Sequence, residues 1–134
     1  MRAEVHCFDL RVYYEDTDLA GIVYYANYLK FIERARSEWV RGLGVDQAAL
    51  KAREGVVFAV RRVEADYLQP AVFDDILQVK TRLIEVTAAR LVLEQSVYRG
   101  ALCLFAAKVV LVCLAATGRP VRLPRDLRER LNES

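Results

Sequence analysis

The acids Glu15, Asp16 and Asp18 stand just ahead of Gly21, and Gly21 opens into the apolar run Ile22-Val23-Tyr24-Tyr25. A carboxylate in a turn that enters a helix can stand beside backbone N–H groups with no intrahelical partner. Those groups carry a partial positive charge. One anion to drive an attack, with amides to polarise a carbonyl, is enough to hydrolyse a reactive ester. Gly21 lets the chain turn tightly and puts no side chain over a ligand. Taken locally, Asp18 also suits a turn or helix cap. Glu15 and Asp16 suit a solvated or turn-holding role, and Tyr24, Tyr25 and Tyr28 suit a core face.

Other chemistries have little to work with. His6 is the only histidine, which argues against a histidine metal site and a Ser-His-Asp triad. It precedes the first strand pattern and is expected outside the fold. Cys7, Cys103 and Cys113 include no C-x-x-C pair. With no leader-like segment, that odd number points to reduced thiols and the cytoplasm. Net charge is +2, although most of the 20 basic residues are arginine. That balance does not argue for nucleic acid. The apolar run from Leu102 to Leu114 is interrupted by Lys108 and is shorter than the about 20 residues of a membrane span, so no membrane insertion is expected.

The elements that must position the turn follow from periodicity. Phe8 to Tyr14 alternates as a first strand. From about Tyr24 to Arg41, Tyr28, Ile32, Ala35, Trp39 and Leu43 recur at helical steps, with Leu29, Arg36 and Val40 alongside. Gly42 and Gly44 end that helix. Asp46 caps a short helix running to about Arg53, which Gly55 closes. Strands follow at Val56–Leu68, Ile76–Val86, Leu91–Tyr98 and Leu102–Leu114. Leu77, Val79, Thr81 and Leu83 share one face. Leu102–Leu114 is apolar on both faces, as expected of a central strand or one covered by a second copy. Thr117-Gly118-Arg119-Pro120 is a turn, and Leu127–Leu131 a short, solvated terminal helix. The order predicts one α+β domain over residues 1–134, an antiparallel sheet of about five strands packed on one long helix.

Arg11-Val12 with Tyr14-Glu15-Asp16-Thr17-Asp18, Gly21-Ile22-Val23-Tyr24-Tyr25 and Asn27-Tyr28 resembles the signature of the 4-hydroxybenzoyl-CoA thioesterase family, of hotdog fold. Phe31-Ile32-Glu33-Arg34-Ala35-Arg36-Ser37-Glu38 resembles its tol-pal-associated acyl-CoA thioesterase branch. The similarity runs on through Tyr67-Leu68, Pro70-Ala71 and Asp74-Asp75. The resemblance implies a sheet wrapped around the long helix, and homodimers or homotetramers with active sites between subunits. It implies Asp18 as catalytic carboxylate and the backbone N–H of Tyr25 as the group that polarises the carbonyl. The tol-pal-associated branch carries histidine where this chain has Tyr25; the aromatic-CoA enzymes carry tyrosine.

The implied reaction is hydrolysis of a short aliphatic or aromatic acyl-CoA to free acid and CoA. A thiolate with a parent pKa near 8.5 leaves with little acid assistance, so attack and oxyanion stabilisation remain. Asp18 serves as general base or as nucleophile, and Gly21 as part of the substrate-binding turn. No metal or cofactor is expected, coenzyme A being part of the substrate. Glu33 is a candidate second acid, although nearby Arg34 and Arg36 suit an ion pair. Arg61 and Arg62 could meet CoA phosphates or face solvent. The other class of function is a non-catalytic hotdog module that binds an acyl carrier or an envelope-associated partner. A hotdog dehydratase would need a better-placed histidine than His6.

Overall fold

The computed structural model describes residues 4–133. Strand β1 (Val5–Arg11) leads through a 3-10 turn (Tyr14–Asp16) to helix α1 (Asn27–Gly42) and the shorter α2 (Gln47–Glu54). Strands β2 (Val56–Tyr67), β3 (Ile76–Val86), β4 (Arg90–Arg99) and β5 (Leu102–Ala115) follow. A two-residue strand β6 (Pro120–Val121) and helix α3 (Arg125–Glu133) complete the order. All pairings are antiparallel, in the order β1-β3-β4-β5-β2, with β6 also on β5. The hotdog arrangement is therefore present, with six strands rather than about five. The sixth is too short for periodicity to reveal. It pairs with Cys113 and Leu114, just beyond Val112, where β4 stops.

Helix α1 packs on β3, β1 and β4 through Tyr28, Phe31, Ile32, Ala35, Trp39 and Val40. Its expected stripe lacked Phe31, which is fully buried. Leu77, Val79, Thr81 and Leu83 are buried on one face of β3, as its alternation requires. Strand β5 is interior, between β4 and β2; Val109, Leu111 and Cys113 are buried on one face, while Val110, Val112 and Leu114 on the other are half-buried. Burial pushes the Cys113 thiol up to about 11. Cys103 is only partly buried and Cys7 is exposed.

Three expectations need correction. The first strand is Val5–Arg11, not Phe8–Tyr14. The Asp16 carboxylate takes the Tyr13 N–H at 2.8 Å and turns the chain out of the ladder. His6 consequently lies within β1, opposite Thr81, at the end of the strand remote from the acidic turn. The terminal helix is longer than expected and is docked: Leu123, Leu127 and Leu131 join the main core. Arg130 Nη1 donates to the Leu43 carbonyl at 2.8 Å, satisfying a group at the C-terminal end of α1. Asp46 and Gly55 act as expected. Asp46 Oδ1 accepts from the Ala49 N–H at 3.1 Å, and Gly55 closes α2 in the left-handed conformation.

Candidate active site

The acidic turn is a closed unit. Thr17 and Val23 form an antiparallel bridge. The Asp18 N–H donates to the Ile22 carbonyl at 2.9 Å, and the Gly21 N–H donates to the Asp18 carbonyl at 2.9 Å. Gly21 sits at φ 81°, a conformation that costs other residues strain. Asp18 is exposed, and its Oδ1 accepts from the Ala20 N–H at 2.9 Å. That bond orients the carboxylate; among the described residues Oδ2 has no partner. Asp16 differs. It is buried, its side chain holds Tyr13, and its carbonyl accepts from the Tyr24 N–H and from Asn27 Nδ2, both at 2.9 Å. Asp16 thus joins the turn to the helix entrance, a structural role.

The helix entrance is tighter than an α-helix. Asn27, Tyr28 and Leu29 donate to the carbonyls of Tyr24, Tyr25 and Ala26 at 2.8, 3.4 and 3.2 Å. These three-residue steps explain why α1 begins at Asn27, later than the expected Tyr24. They also decide which amides are free. The Tyr24 N–H is spent on Asp16, whereas the N–H groups of Tyr25 and Ala26 have no acceptor among the described residues. The entrance therefore presents adjacent unsatisfied donors at the positive end of α1, in the hydrogen-bonded unit that carries Asp18.

The segment after β2 forms the opposite wall. The Val23 N–H donates to the Ala71 carbonyl at 2.9 Å, the Ala71 N–H donates to the Tyr28 hydroxyl at 3.0 Å, and Ile22 bridges Val72. Asp75 holds this wall. Its Oδ2 accepts from the Val72 N–H at 2.9 Å and from Arg99 Nη1 at 2.8 Å. Burial raises the Tyr28 phenol pKa. Between helix entrance and wall lies an open hollow of ≈ 290 Å³, lined by Ile22, Val23, Tyr25, Tyr28, Tyr67 and Leu68 among others. The Tyr25 ring is largely exposed, edge-on to Tyr24 and Tyr67. Tyr24 is also exposed, so only Tyr28 of these helix-entrance tyrosines is core.

Asp18, Gly21 and Tyr25 therefore lie in one hydrogen-bonded segment, with Tyr25 but not Asp18 or Gly21 lining the hollow, and other candidates are set apart. Glu33 is exposed and forms no direct ion pair among the described residues, though its charge acts on Arg36. Arg36 instead donates to Gln95 Oε1 at 3.0 Å, and burial lowers its pKa. Arg62 pairs with Glu64 at 3.0 Å and Arg61 is exposed. Among the described residues no cluster of three His, Cys, Asp or Glu could hold a metal. No helix there is long and apolar enough to cross a membrane. The sequence reading assigned no role to Tyr67, Asp75 or Arg99. Tyr67 and Asp75 were visible only as parts of the resemblance, and no local spacing connects Tyr67 to Tyr25 across 42 positions.

The model of the thioesterase-like superfamily matches residues 12–131. The chain is 40% identical over 122 residues to the acyl-CoA thioesterase YbgC of Haemophilus influenzae, covering 90% of each. It is 37% identical over 129 residues to the acyl-CoA thioester hydrolase YbgC of Escherichia coli, covering 95% of this chain and 96% of that one. Among solved structures, a probable thioesterase from Bartonella henselae superposes with TM-score 0.86 at 39% identity, over 90% of this chain and 100% of that one. A mutant 4-hydroxybenzoyl-CoA thioesterase complexed with 4-hydroxybenzoyl-CoA superposes with TM-score 0.89 at 23% identity, over 96% and 99% of the chains. That last likeness bears on the fold alone.

Proposed function

The chain belongs to the thioesterase-like superfamily, and we propose that it hydrolyses short aliphatic or aromatic acyl-CoA thioesters to the free acid and CoA. The observation that carries this reading is the pair of unsatisfied N–H groups at Tyr25 and Ala26, tied to the turn that bears Asp18. The carbonyl oxygen of the thioester would lie at those amides. A donor of this kind contributes about 2.7–4 kcal/mol to transition-state stabilisation. Asp18 Oδ2, the carboxylate oxygen without a partner, delivers the attack. It either takes a proton from water as the water oxygen bonds to the carbonyl carbon, or bonds to that carbon itself to give a mixed anhydride that water then cleaves. In both routes the C–S bond breaks and the electron pair leaves on sulfur. The hollow beside Tyr25 would receive the acyl group. Coenzyme A enters as part of the substrate, with no further cofactor.

The relatives named as acyl-CoA thioesterases support the substrate class. A thiol-release assay over a panel of acyl-CoAs tests it. The parent protein should release CoA, and Asp18→Asn should lower kcat by at least about 100-fold with an unchanged melting temperature. An Asp18→Asn variant as active as the parent would remove the basis of the assignment. Single-turnover hydrolysis in ¹⁸O-water detects the anhydride where water attacks its Asp18 carbonyl carbon, since label then enters the Asp18 carboxylate; rapid-quench detection of acylated Asp18 covers attack at the acyl carbon. The reading includes a cytoplasmic protein that works as a homodimer or homotetramer. The non-catalytic alternative has no use for an exposed carboxylate beside free amides.

A further inference from the structure

We propose that Tyr67 is a positioning residue whose hydroxyl sets the Ala26 amide, one of the two free donors at the entrance of α1. The inference rests on the thioesterase reading above and adds to it a residue from a distant element. Tyr67 Oη donates to the Tyr25 carbonyl at 3.1 Å. That carbonyl and the Ala26 N–H belong to one peptide plane. The other bond to this carbonyl, from the Tyr28 N–H, is long at 3.4 Å, so local structure alone holds the plane loosely. The Tyr67 hydroxyl fixes its tilt. Polarising the carbonyl also strengthens the Ala26 N–H as a donor.

The ring that carries the hydroxyl is anchored. Tyr67 packs edge-on against Tyr25, Tyr28 and Phe105, with centroids 5.9, 5.6 and 5.0 Å away. Tyr28 and Phe105 are buried core residues, stacked on each other at 5.0 Å. The residue is nevertheless 47% exposed, and water is within easy reach of a surface phenol. Its hydroxyl turns to a main-chain carbonyl instead. Packing alone would not require that oxygen, since phenylalanine makes the same ring contacts. Burial also raises the phenol pKa.

Steady-state kinetics on Tyr67→Phe test the role, with Asp18→Asn and the parent measured alongside. Loss of the hydroxyl should lower kcat about 3- to 10-fold, the factor expected of one ordinary hydrogen bond. KM should stay within about twofold, because the group does not contact substrate. The melting temperature should not move, whereas Tyr67→Leu, which also removes the ring, should lower both kcat and melting temperature. Parental kcat in Tyr67→Phe beside an inactive Asp18→Asn would overturn this inference and leave the hydrolase reading standing. A raised KM at parental kcat would also overturn it, by making the hydroxyl a substrate contact. A parent that releases thiol from no acyl-CoA would overturn both.

Discussion

Asp18 and Asp16 are one residue apart in the chain's acidic turn and have opposite fates. The Asp16 carboxylate is consumed by the Tyr13 N–H and buried. Asp18 spends one oxygen on the Ala20 N–H and keeps the other outward. At Tyr25 the argument rests on the backbone, and the ring is a neighbour. Tyr25→Phe should therefore keep kcat within about threefold of the parent, a difference near 0.6 kcal/mol; a larger loss of thiol release would assign work to the phenol. Gly21 bears on stability as well as on the site. Nothing lies within 4 Å of a Cβ built there, so the penalty of a side chain is its φ of 81°. Gly21→Ala should cost about 1–2 kcal/mol in urea unfolding and reduce thiol release, because the turn that aims Asp18 would relax.

Helix α1 is aimed by contacts on both sides. Below it, Gln95 is completely buried, donates to the Ile32 carbonyl and to Thr81 Oγ1, both at 2.9 Å, and accepts from Arg36. Gln95→Leu keeps the volume but leaves the half-buried Arg36 without that acceptor. The expected cost is about 1–3 kcal/mol, read as a lowered denaturation midpoint; an unchanged midpoint would mean that Arg36 finds water instead. At its far end, Leu43 is held by Arg130 of α3. At its entrance, the 3-10 steps over Tyr24–Leu29 take up the N–H groups from Asn27 onward, and those of Tyr25 and Ala26 stay without acceptors among the described residues. The family resemblance placed the carbonyl-polarising group at Tyr25, and helical periodicity placed the helix start at Tyr24. Neither shows that the Tyr24 N–H is consumed by a carbonyl eight residues back. That depends on how the turn folds against the helix.

For the whole molecule, the free sheet edges matter. Strand β2 pairs with β5 on one side, and its other edge has no partner among the described residues. It is 12 residues long and carries the exposed apolar side chains Val60, Val63 and Tyr67. A long edge of this kind invites pairing with another strand. The expected outcome in light scattering at micromolar concentration is a mass at least twice 15.3 kDa; a monomer would contradict the shared-site arrangement that the family resemblance implies. The hollow beside Tyr25 is open in the single chain.

The sequence by itself determined the order of α1, α2 and strands β2–β5, the buried face of β3 and most of that of α1, and where Asp46, Gly55 and the Asp18–Gly21 turn fall. These are local matters: side-chain period, capping geometry and tolerance of positive φ depend on a few neighbouring residues. Only the tertiary structure decided that Asp16 ties the turn to the helix, that the Tyr25 and Ala26 amides are without acceptors among the described residues, and that Tyr67 reaches the Tyr25 carbonyl. It also decided that β6 pairs beyond the end of β4 and that α3 docks on the core. These depend on contacts outside any single element's local pattern, from Asp16 with Tyr24 to Tyr67 with Tyr25. Whether a backbone group is satisfied depends on which distant partner arrives, and no local pattern encodes that arrival.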